Sequence, residues 1–61
     1  MDRETIELTK KYLRMRMENL DADNIEGKLR LLEDNLVMKI LKDDPWFRET
    51  LQYLYQRRRA K

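Results

Sequence analysis

Apolar side chains recur along this chain at intervals of three, four and seven residues, the spacing of helices that bury one stripe. Across residues 3–20, Ile6, Leu13, Met17 and Leu20 fall within roughly 60° of one another at about 100° per residue. Leu8, Tyr12 and Met15 form a second patch on nearly the opposite side. One face cannot hold both sets, so this helix is expected to touch two neighbours. Across residues 25–42, Ile25, Leu29, Leu32, Leu36 and Ile40 make a continuous stripe, widened by Val37 and Leu41, with Leu31 and Met38 on another side. Across residues 45–58, Phe47, Leu51 and Leu54 share a face with Tyr55 beside them, while Trp46 and Tyr53 sit roughly 100° away.

The boundaries follow from capping chemistry. Asp2 suits the N-cap of the first helix, and Asp44 that of the last, where Pro45 occupies the first helical position with its φ already fixed. Asp44 itself is turned away from the α conformation by the proline that follows. Gly27, in the first turn of the second helix, costs about 1 kcal/mol relative to Ala. It is expected either to admit a neighbouring helix or to mark a frayed start.

Between the first two helices, Asp21, Asp23 and Asn24 belong to the types that cap helices and make turns by bonding nearby backbone. The tetrapeptide Leu20-Asp21-Ala22-Asp23 resembles the interhelical turn of the plasmid-encoded Rop family, helical hairpins that dimerise into a four-helix bundle. The likeness covers the turn alone and reflects shared capping chemistry.

The expected fold is all-α: one domain over residues 1–61, with helices at 3–20, 25–42 and 45–58 and a basic tail at 57–61. It is a small three-helix bundle, or a helical hairpin plus a third helix, completed by homodimerisation. Leu8, Tyr12, Met15, Leu31, Met38, Trp46 and Tyr53 exceed what such a bundle needs. Apolar clusters left over in this way mark association surfaces, and a symmetric dimer is the commonest use of one. Size argues the same way, since a chain of 61 residues buries only about 60% of the surface it exposes unfolded.

Composition mostly narrows the functions. Without Cys or His there are no disulfides, and the usual zinc and copper ligand sets are missing. His-based acid–base chemistry and Cys nucleophiles are excluded, as are Ser nucleophiles. Glu33 and Asp34 are neighbours pointing about 100° apart on a helix; Asp43 and Asp44 are explained by helix termination. Asp21, Asp23 and Asn24 lack the glycine and bidentate glutamate of an EF-hand. A single Gly cannot build a phosphate loop. The expectation is therefore a non-enzymatic protein with no cofactor, metal or small-molecule substrate. The start of the chain shows no signal peptide and no transmembrane run, which points to a cytoplasmic protein without a membrane role.

Charge adds the remaining lead. A net charge of +2 hides an uneven distribution: +1 over residues 1–20, −3 over 21–44 and +4 over 45–61. Arg57, Arg58, Arg59 and Lys61 are candidates for contact with an anion or nucleic acid, and Lys10, Lys11 and Arg14 could extend that surface. The same cluster also complements the helix macrodipole. No helix-turn-helix signature supports sequence-specific reading, because the turn at Asp21 to Asn24 is acidic. The function expected is a protein–protein interaction module, a regulator or inhibitor that occupies a partner's surface as phage- or plasmid-type small proteins do. Trp46, Tyr53, Arg57, Leu8, Tyr12 and Met15 are its expected contact residues, since Trp, Tyr and Arg dominate interface hot spots. A nucleic-acid-binding protein using the basic C-terminus and a purely structural oligomer are the alternatives.

Overall fold

In a computed structural model, which describes residues 2–60, the chain forms four helices and no strand among the described residues. They are α1 (Arg3–Glu18), α2 (Ile25–Leu32), α3 (Asn35–Leu41) and α4 (Pro45–Arg59). Each begins where a side-chain oxygen meets an otherwise unpaired backbone N–H. Asp2 accepts from Thr5, Asn24 from Gly27, Asp34 from Leu36 and Asp44 from Phe47. The expected all-α class and the starts at Asp2 and Asp44 are as the sequence indicates.

The single helix expected over residues 25–42 is instead two. At Glu33 and Asp34 the helix stops; Asp34 takes φ −56° and ψ 131° and caps a new one. An extended residue re-aims the axis, and the apolar stripe splits with it. Ile25, Leu29 and Leu32 stay buried and Leu41 joins them, but Leu36, expected in the core, is 65% exposed. The cap is the physical reason: a short acidic side chain two residues before a Leu-rich segment competes with helix continuation for the same N–H groups.

The core is Leu13, Ile25, Leu29, Leu32, Leu41, Phe47 and Leu54, with Ile6, Met17, Leu31, Val37, Ile40, Trp46, Leu51 and Tyr55 packed against it. α2 packs mainly on α4, and α1 lies across α2 and α3. Of the surplus apolar residues, Leu31 and Trp46 are thus partly absorbed by the core. Gly27 has another use than either expected one. A Cβ there would meet the Asn24 side chain at 2.8 Å, so the glycine makes room for the cap of its own helix.

Polar contacts close the structure at its edges. Lys10 Nζ lies 3.1 Å from Asp44 Oδ1 and 3.2 Å from Glu7, joining α1 to the start of α4. Tyr55 donates its hydroxyl proton to Glu33 at the end of α2, and Arg58 lies 3.5 Å from Glu26, an exposed pair. No buried side-chain nitrogen or oxygen among the described residues lacks a partner.

Candidate interaction surface

α1 is apolar on two sides, and only one of them is covered. Ile6, Leu13 and Met17 face the other helices. Leu8, Tyr12 and Met15, at i, i+4 and i+7, remain 60%, 55% and 56% exposed. Because residues at this spacing stack on one helix face, the three make a continuous strip rather than scattered contacts.

The strip does not stop at the edge of α1. A groove of about 410 Å³ runs from Tyr12 across Leu13, Leu31 and Val37 to Leu36 on α3. Arg30 and Asp34 stand at its rim, and the Arg16 guanidinium lies 5.8 Å from the Tyr12 ring centroid. The break at Asp34 is what brings Leu36 here. A straight helix would have continued the stripe into the core.

Other candidate residues are positioned differently. Trp46 is half-buried against the core, and Arg14 sits over its ring at 5.0 Å. Tyr53 is exposed, with Arg57 5.9 Å from its ring, and forms a smaller patch away from α1. Lys10 serves as a bridge to Glu7 and Asp44, while Lys11 is exposed. The three consecutive arginines diverge: Arg57 lies over Tyr53, Arg58 reaches toward Glu26 and the Tyr55 ring, and Arg59 points to another side, with Arg58 and Arg59 both lining an outer groove. Lys61 lies outside the described residues. Lys10, Lys11, Arg14 and the α4 arginines therefore do not form one surface.

The electrostatics at the α1–α4 junction follow from these contacts. Partial burial alone would raise the Asp44 carboxyl, but hydrogen bonds from Lys10 and the Phe47 N–H outweigh it. The net result is a carboxyl held below its usual 3.8. Lys10 is raised above 10.5, first by its hydrogen bond to Asp44 and then by that to Glu7. The bond to Glu33 likewise raises Tyr55 above 10.0, because the neutral phenol is the donor. At the chain's start, the Thr5 hydrogen bonds hold Asp2 below 3.8.

The carboxylates are spread along capping positions, and no group of three or more that could hold a metal ion occurs among the described residues. Nor is any described helix long and apolar enough to cross a membrane. Two residues of the apolar surface went unrecognised in the sequence. The 3.6-residue stripe places Leu36 in the core and gives Arg30 no role, whereas Leu36 is 65% exposed; the acidic pair before Asn35 is the signal that the helix breaks there. Comparison of the chain with protein-family models, curated proteins and solved structures finds no match.

Proposed function

We propose that this protein is a non-enzymatic interaction module that regulates or inhibits a partner protein by occupying its surface. The contact face is the outer strip of α1, Leu8, Tyr12 and Met15, extended through the groove to Leu36. The observation that carries this reading is the continuity of four exposed large apolar side chains that the core leaves uncovered. Contiguous apolar surface of this kind marks association sites, and an amphipathic strip at i, i+4, i+7 suits helix-in-groove recognition. Tyr53 with Arg57 supplies a second, smaller contact.

Charge favours a different protein over a second copy at this face. A two-fold antiparallel pairing of α1 about the middle of the strip sets Lys11 beside its own copy and Glu4 beside Glu18. Like charges so placed oppose association. Homodimerisation remains the competing use of the same strip, and one set of variants separates the two. Tagged wild type and a Leu8→Gln, Tyr12→Gln, Met15→Gln variant with unchanged helicity are compared by affinity capture with mass spectrometry, and by sedimentation. The reading expects a protein captured by wild type alone and a sedimenting mass near 7.6 kDa for both. Capture of the same proteins by both, or a wild-type dimer that the variant abolishes, defeats it.

A further inference from the structure

We propose that the outer groove of α4 binds the phosphodiester backbone of a nucleic acid, through Arg48, Arg58 and Arg59 with Gln52 and Gln56 as hydrogen-bonding partners. This site is separate from the apolar face of α1. These five residues, with Tyr55 and Leu51, line a groove of about 510 Å³. Arg48, Gln52, Tyr55 and Arg59 succeed one another at i, i+4, i+7 and i+11, one stripe along α4. At 1.5 Å per residue the outer arginines stand about 16 Å apart along the axis, a reach that covers several phosphates of one strand.

Charge composition distinguishes this groove. No carboxylate lines it, whereas four other grooves on the surface each carry at least one Asp or Glu. Its arginines do have acidic neighbours outside it. Arg48 lies 3.9 Å from Asp43, with both side chains largely exposed, and Arg58 lies 3.5 Å from Glu26. Exposed pairs at such distances contribute little, so exchanging Asp43 for a phosphate costs little, while a guanidinium donates two parallel hydrogen bonds to phosphate. Tyr55 is committed elsewhere: its hydroxyl bonds Glu33 and its ring is covered by Arg58 at 5.1 Å. It positions Arg58, and with one face under that guanidinium and the side chain packed against the core it is not presented for stacking on a base. Contacts are therefore to the backbone and blind to sequence, because phosphate contacts position without specifying.

Counterion release makes the proposal quantitative. Three neutralised phosphates give a log–log salt slope of about −2 for a single strand and about −2.7 for a duplex. From 50 to 200 mM salt, affinity then falls about 20-fold and about 40-fold respectively. The test is fluorescence anisotropy of a labelled 20-nucleotide single strand and its duplex across that range. The Arg48→Gln, Arg59→Gln variant is expected to lower the single-strand slope to about −0.7, and Arg59→Gln alone to about −1.4. An Arg3→Gln, Lys39→Gln control removes equal charge at exposed positions elsewhere and should leave the slope unchanged. Absence of binding, a slope unmoved by the groove variants, or an equal change in the control overturns the proposal. Polyglutamate competing as well as the oligonucleotide also overturns it, and assigns the groove to an acidic protein surface.

Discussion

The two faces of α1 carry much the same side chains and meet opposite fates. Ile6, Leu13 and Met17 pack inward, whereas Leu8, Tyr12 and Met15 face outward, a few ångströms of helix away. Nothing in residue type separates them. What does is the position of the neighbours: α2 and α3 cover one side and leave the other largely exposed. Burial is thus a property of the assembly of helices, and periodicity alone shows only that a stripe exists. The inner face works for stability, and the outer one is available for association.

The sharpest way to break that contrast is to truncate its inner side. Leu13→Ala removes a side chain that is 1% exposed and should cost about 3 kcal/mol, within the usual 2–5 for buried Leu→Ala. In so small a domain that is a large share of the total. An unfolding free energy from urea titration changed by less than about 0.5 kcal/mol would show that α1 is not docked as described.

Asp44→Ala should come next, at about 1 to 2 kcal/mol, the range of strong helix caps. The same carboxylate gives a pH dependence with a definite sign. Its folded value lies below the ordinary 3.8, so its contribution is present above that pH and is lost as pH falls through the folded value. Lys10 and Tyr55 are raised above 10.5 and 10.0, so theirs is present below those values and lost as pH rises through the folded ones. Thermal melts from pH 2 to 12 should fall off at both ends. In Asp44→Asn the acid limb should be shallower, and an acid limb identical to wild type removes Asp44 from the account.

On the outer face, Leu8→Ala and Met15→Ala should each change stability by no more than about 0.5 kcal/mol while weakening capture of a partner. Destabilisation comparable to Leu13→Ala would mean that this strip is covered after all. The smallest effect is expected at Gly27. Replacement by Ala gains about 1 kcal/mol of helix propensity, but the new Cβ displaces the Asn24 cap, which costs about as much. A denaturation midpoint close to wild type is the expected result, and a gain of the full propensity would show that the cap contributes nothing.

Local chemistry was the most legible part of this fold. Asp2 and Asp44 announce their helices because a cap needs only a side chain and the three residues after it. The basic end was legible as charge but not as geometry: Arg57, Arg58 and Arg59 point three ways, since consecutive helical residues diverge by about 100°. The break at Asp34 was hidden behind a stripe that runs on through Leu36 and Ile40. A continuous 3.6-residue period does not reveal a change of axis. Leu36 was misplaced for that reason, and with it the far wall of the apolar groove. Arg48, Gln52 and Gln56 stood out in no local pattern; their common groove exists only once α4 is folded and its inner face is taken.

Asp44 also couples two events in folding. One of its oxygens accepts from the Phe47 N–H and begins α4; the other accepts from Lys10, which lies 34 residues earlier in the chain. Helix initiation is ordinarily local and early, whereas a contact of that separation must first close a long loop. With one carboxylate serving both through separate oxygens, the residue that starts α4 locally is also the point where α1 later docks, so the arrival of α1 fixes a side chain that the helix start has already ordered.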